Sequence, residues 1–267
     1  MKALIVIGSY IGTDPGYTQA MRDAVRETYL KGIGQFPELE YRFFMGDGTP
    51  TGDNEDFILN TLSASYTDPG YKDKALRFTD RKVELTTYVP KSDEVLLHVP
   101  DDYPHITYKL RAEQRWAVEH GFDFVFQSSA DIYIDLQKLL NSGFQNYDYS
   151  GRAIDSRGLY PNVQQYAGGH AGYWLSRIAA QFVANSPVDF WCDDIWAGQR
   201  MFLNNIPLHS DLRYANSPDP KSNNDTITAH LGDRNGIFGV YDPKIMHEAH
   251  IANRHIELQG RWLRRAK

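Results

Sequence analysis

Residues Phe124–Leu136 read FVFQSSADIYIDL. A run of apolar, strand-forming residues stops at Ser128-Ser129-Ala130-Asp131, and a second alternating run follows. A buried strand that ends on a carboxylate presents it to whatever binds beyond the sheet edge. A lone acid at this place leaves three readings open: a metal site with few carboxylates, a relic of one, or a plain strand end.

The chain on either side gives this strand its company. Ala3–Gly8 is a compact apolar run of the kind buried in parallel sheets. The loop GSYIGTDPGY follows it, and Thr18–Tyr29 predicts a helix with Thr18 as N-cap. Tyr41–Met45, ended by GDGTPTGD, and Glu94–Val99, ended by PDDYP, predict two more strands. Ile106–His120 fits a helix, and Phe122–Gln127 is the strand that enters the opening stretch. This alternation predicts an α/β fold, a mostly parallel central sheet with helices on both faces. The loops after Gly8, Met45, Val99 and Ser128 should then share one edge, where such sheets bind ligands.

The second half is less regular. Tyr160–Ser176 (YPNVQQYAGGHAGYWLS) is rich in Gly and aromatics, Trp191–Leu203 reads as a helix, and Ser217–Asn224 (SPDPKSNN) as a loop. No repeat and no linker composition interrupts the chain, so residues 1–267 read as one domain.

Composition narrows the function classes. A net charge of −6 disfavours broad nucleic-acid binding, although Arg261, Arg264, Arg265 and Lys267 gather in the tail GRWLRRAK. One cysteine, Cys192, forbids an internal disulfide. MKALIVIGSY reads as a first strand and not a signal peptide, and no stretch has the roughly 18 apolar residues of a membrane span. These features predict a cytoplasmic protein. Aromatics at 13% suit sugar or base stacking, and equally a Tyr-rich core.

No phosphate-loop signature, HExxH, CxxC or GxSxG occurs, and GSYIG lacks the dinucleotide spacing. Arg22 and Arg26 share a helix face at i, i+4, which suits either a diphosphate or pairing with Asp23 and Glu27. Asp193 and Asp194 open an apolar helix, where the helix dipole favours acids and where a general base could equally stand. AGGHAG is a tight bend or a close approach to a ligand. His230, His247, His250 and His255 crowd the C-terminal part without a metal spacing.

The order of these motifs is more specific than any one. RDAVRETY, RFFMGD, DEVLLHVPDDYPHITYKLRAEQRW, FQSSADIYID, YPNVQQYAGGHAGYWLS and CDDIWAGQ together resemble the β-1,3-glycosyltransferase family that includes the galactosyltransferases and Fringe (glycosyltransferase family 31). The resemblance runs over roughly residues 3–205 in collinear order. It implies a GT-A fold and inverting transfer from a UDP-sugar, with Mn²⁺ or Mg²⁺ as cofactor.

Residue by residue, the resemblance implies Asp131 as metal ligand, His230 (TAHLGD) as the second ligand with His250 as rival, and Asp194 as catalytic base. Gly8, Ser9, Arg22, Arg26, Asp47, Lys109 and Ser129 are its candidate donor contacts. The chain departs from the pattern at Ser129 and Ala130, where the family has acids, and at Asp135, where it has Asn. It lacks the family's membrane anchor and cysteines, which suits a bacterial or viral enzyme. The acceptor could be a saccharide, a lipid-linked glycan, or a modified phage DNA base with Arg152, Arg157 or the basic tail along a groove. The missing carboxylates raise an alternative, a noncatalytic module that binds sugar nucleotides or glycans.

Overall fold

The computed structural model describes residues 1–11, 19–50, 88–156, 163–215, 225–231 and 243–253. Thr18, Arg157, the 217–224 stretch, His255 and the basic tail lie outside them.

The central sheet is built on β1 (Ala3–Gly8), the expected apolar run. Its side chains alternate between two cores: Leu4 and Val6 on one face, Ala3, Ile5 and Ile7 on the other. Both faces are therefore covered, which is why the sequence reads as continuous apolar residues. β1 pairs in parallel with β2 (Leu39–Gly46) and with β4 (Phe124–Ser129), and β2 pairs in parallel with β3 (Glu94–Leu97). Beyond β4 lies antiparallel β9 (Tyr173–Ser176), then β6 (Tyr149–Gly151) and β10 (His209–Ser210). The seven strands run in the order β10-β6-β9-β4-β1-β2-β3.

Helices cover both faces. Buried residues of α2 (Ile106–Glu119), α4 (Arg177–Asn185) and α5 (Asp193–Leu203) join the Leu4–Val6 core. Those of α1 (Gln19–Glu27) and α3 (Leu136–Leu140), with Met246 of the 243–253 helix, join the other. Two small sheets stand at the strand ends. β5 (Ile132–Ile134) pairs antiparallel with β12 (Thr228–His230), which pairs with β11 (Tyr214–Ala215). β7 (Ala153–Asp155) and β8 (Gln165–Ala167) form a hairpin-like pair. Among the described residues no helix is long and apolar enough to cross a membrane.

Element ends shift from the expected ones for local reasons. α1 stops at Glu27, because the Thr28 hydroxyl bonds back to the Ala24 carbonyl at 2.7 Å and the Gly-containing stretch Tyr29–Gln35 tightens to a 3-10 helix. β3 stops at Leu97, whose carbonyl takes the Val99 N–H in a three-residue turn at 2.8 Å. α2 ends in a Schellman motif. Gly121 sits at φ +79°, its N–H donates to the Val118 carbonyl, and that of Phe122 donates to Ala117. Phe122 thus belongs to the helix stop, and β4 begins at Phe124.

Candidate functional site

The chain runs from β1 outward through β2 and β3, then returns to the other side of β1 as β4. That reversal is a topological switch point, the place where such sheets bind ligands beyond the carboxyl ends of their strands. The expected convergence of loops is present. Ala130 N–H donates to the Gly8 carbonyl at 3.1 Å, and Ser9 N–H donates to Phe44 at 2.9 Å.

The β1–β2–β3 half of this edge is a closed clasp. Asp101 accepts from the Ile11 N–H at 2.6 Å, the Gly46 N–H at 2.8 Å and the Lys109 ammonium at 2.8 Å. Lys109 also donates to the Ser9 carbonyl at 2.8 Å and lies 3.5 Å from the centre of the Tyr10 ring. One buried carboxylate thereby ties together three loops, and its charge is matched by a buried ammonium. Gly46 is required here, because a Cβ would come within 2.5 Å of the Val99 carbonyl oxygen.

The two arginines belong to this clasp and not to an open anion site. Arg22 is buried, and its five N–H groups go to Glu94, Ser9, the Tyr10 carbonyl, Gln19 and Tyr88. Arg26 grips Asp93 with both prongs at 2.8 Å and also bonds Glu94 and Asp23. Of the pairings read from the sequence, the one with Asp23 is present. The deeper partners, Asp93 and Glu94, come from the edge strand 67 to 72 residues away, beyond any helix-face argument. The Ser9 hydroxyl is bonded to Arg22, and the Lys109 ammonium to Asp101 and the Ser9 carbonyl, so both are engaged within the protein. Asp47 sits at the rim of β2, held by the Thr49 N–H and by the exposed His98 ring at 2.6 Å.

The β4 half is different. Asp131 follows the end of β4 and is 2% exposed. Ser129 donates its hydroxyl to Asp131 Oδ1, so this position orients the carboxylate from within the protein. The other oxygen, Oδ2, lies 3.0 Å from His230 Nε2. The partner arrives because β12 pairs with β5 with His230 opposite Ile132. Burial alone would raise the Asp131 pKa, but the His230 hydrogen bond and charge, with Ser129, hold it below the usual value. Burial likewise pulls His230 down, and Asp131 more than reverses this. His250 takes another place: its Nδ1 meets the Tyr133 hydroxyl at 3.1 Å. Of the two rivals, His230 is the one brought to Asp131.

Asp194 opens α5 and is 8% exposed. Its Oδ2 accepts from the Gly169 N–H and its Oδ1 from the Ile195 N–H, both at 2.8 Å, and the Cys192 thiol donates to Oδ1 at 3.1 Å. The glycine-rich bend is built for this approach. Gly172 sits at φ +75°, and a Cβ there would lie 2.4 Å from the Phe126 ring. The bend thus closes down on the sheet and aims the Gly169 N–H at Asp194.

His170 rides on the same bend, and its ring centre is 5.9 Å from that of His230. The Thr228 hydroxyl donates to the Ala171 carbonyl at 2.6 Å, fastening β12 to the bend. Burial lowers the His170 pKa, against the pull of the Asp194 and Asp131 charges. His170 is the residue that reading the sequence passed over. Its signal was a single imidazole inside AGGHAG, a segment otherwise made of residues with no polar side chain.

Cys192, Asp193 and Asp194 also cluster, with ligand atoms within 4.8 Å of one another. Burial pushes the Cys192 thiol up, and burial with the Asp194 charge pushes Asp193 up to about 8. Two of the three groups therefore hold their protons at neutral pH, and the third already accepts three hydrogen bonds. Asp131 and His230 bring together a second set of donor atoms. Carboxylate and imidazole suit Mn²⁺ or Mg²⁺, and 3.0 Å matches the spacing of adjacent ligands about 2.1 Å from an octahedral ion.

No family model matches the chain, and no curated protein is similar to it.

Proposed function

We propose that the protein is a metal-dependent, inverting glycosyltransferase of GT-A type. It would move a sugar from a UDP-sugar to the hydroxyl of a saccharide, a lipid-linked glycan or a modified DNA base. One observation carries the reading: a carboxylate–imidazole pair suited to a divalent cation and a separate, oriented carboxylate are joined by a single glycine-rich bend at the switch-point edge. The collinear motifs support it, and so does a seven-stranded, mostly parallel sheet whose switch point falls at that edge.

Each residue has a role in this reading. Asp131 and His230 would hold the cation, and its chemistry there would be charge neutralisation for a leaving diphosphate. Asp194 takes the proton of the attacking hydroxyl. An inverting displacement needs one base opposite the leaving group. The N–H groups of Gly169 and Ile195 fix the Asp194 plane. Asp193, pushed up to about 8, stays neutral at pH 7 and leaves one negative charge in the adjacent pair. Ser129 and Ala130 stand where the resembled family has acids, which predicts weaker cation affinity without requiring loss of activity.

The test is release of UDP from a panel of UDP-sugars with and without Mn²⁺, comparing the natural chain with Asp194→Ala. Mn²⁺-dependent release that the substitution abolishes is the expected result. If no donor is hydrolysed or transferred and UDP binds equally with and without metal, the reading fails.

A further inference from the structure

The clasp raises a question about the donor's anionic end. A diphosphate carries more charge than one cation neutralises, and protein sites commonly add a guanidinium fork. Arg22, Arg26 and Lys109 are each taken by buried protein acceptors. Elsewhere near the strand ends, Arg213 pairs with Asp211 and Lys138 with Asp135.

Arg152 is the exception. It lies between β6 and β7, and its carbonyl accepts the Gly168 N–H at 3.0 Å, so its backbone is fastened to the bend that carries His170. Its guanidinium donates only to the Tyr214 carbonyl, at 3.5 Å, and meets no carboxylate among the described residues. Tyr214 lies on β11, which pairs with the strand that ends in His230. The side chain therefore crosses from the bend to the small sheet that supplies half of the cation pair. Its positive charge is felt at His170, where it opposes protonation. A half-buried guanidinium with one long hydrogen bond is undersatisfied, and four of its five N–H donors meet no acceptor among the described residues.

We propose that Arg152 binds the diphosphate of the donor, opposite the cation held by Asp131 and His230. This rests on the transferase reading of the same edge. Removing one charge-assisted fork is worth about 10- to 100-fold in affinity. Arg152→Ala should therefore weaken UDP binding in the presence of Mg²⁺ by that factor and leave uridine binding unchanged. Arg152→Lys should recover part of the loss, because charge remains while the fork is gone. Arg152→Gln keeps a donor for the Tyr214 carbonyl, so it separates lost charge from lost folding. It should match Arg152→Ala.

Magnesium pyrophosphate, titrated by calorimetry into the full chain, serves as a sugar-free probe. Arg152-dependent binding of pyrophosphate without any binding of UDP would keep the anion site and overturn the nucleotide-sugar reading. If Arg152→Ala and Arg152→Gln bind UDP and pyrophosphate as tightly as the natural chain, the assignment is wrong.

Discussion

Asp131 and His230 hold each other across 3.0 Å, with the carboxylate's pKa lowered and the imidazole's raised. A cation can take the imidazole nitrogen only after its proton leaves. Mn²⁺ affinity should therefore rise about tenfold per pH unit until pH passes the raised pKa of His230, and then level off. Titration of Mn²⁺ binding from pH 5.5 to 9 checks this, and a flat profile would refute it. His230→Ala should both weaken binding and flatten the curve. Asp194→Asn is the complementary change. The amide keeps only one of the two N–H bonds, through its single oxygen, and cannot take a proton. Transfer should fall by roughly 10²- to 10⁴-fold with circular dichroism unchanged. At this scale the sequence was partly legible. The strand-end acid and the helix-start acid could be named from their positions. The choice of His230 over His250 could not, because it depends on a β5–β12 register set 99 residues from Asp131.

At the scale of elements, the clasp and the bend fix the loops at the switch-point edge. Arg22 binds Glu94 at 3.0 Å with both side chains sealed from water. Without Arg22, Glu94 keeps Arg26 as a partner at 2.7 Å, but the buried acceptors Ser9 and the Tyr10 carbonyl lose their donor, which costs about 1–3 kcal/mol. Arg22→Met should lower the unfolding free energy by that amount, measured by denaturant titration. It should weaken donor binding only as far as the β1 loop, held at Ser9 and Tyr10, loses its shape. A direct, large loss of diphosphate affinity with stability intact would return Arg22 to the anion site. Gly172→Ala tests the bend. It combines left-handed backbone with a contact 2.4 Å from the Phe126 ring. Activity should fall together with stability, since the Gly169 N–H no longer meets Asp194. The helix periodicity at Arg22 and Arg26 revealed a shared face but not what faces it. Asp93 and Glu94 read only as the start of an apolar strand.

At the scale of the whole molecule, buried acids set how stability responds to pH. Glu113 lies beneath the strand ends, bonded to Gln127 at 2.8 Å, and burial pushes it up to about 7. In the unfolded chain it ionises near 4.5, so the unfolded state gives up its proton first. Stability is thus lost as pH rises between those values, by about 3 kcal/mol from this group. Thermal melts should show a falling midpoint from pH 5 to pH 8, and Glu113→Gln should lessen the fall while leaving the part that Asp193 contributes. A midpoint that rises over this range in the natural chain would refute the assignment. The α/β class and the shared loop edge were legible at this scale because apolar strands alternate with helix patterns. The antiparallel β9 and the two small sheets were not. Their strands are two to four residues long, too short for periodicity to register.

The central claim is a cation-dependent nucleotide site at Asp131 and His230. Calorimetric titration of UDP into the natural chain and into Asp131→Asn, with and without saturating Mn²⁺, tests it most directly. The natural chain should bind UDP at least about tenfold more tightly with Mn²⁺, and Asp131→Asn should lose that enhancement. UDP binding that ignores Mn²⁺, or an enhancement that survives Asp131→Asn, would contradict it.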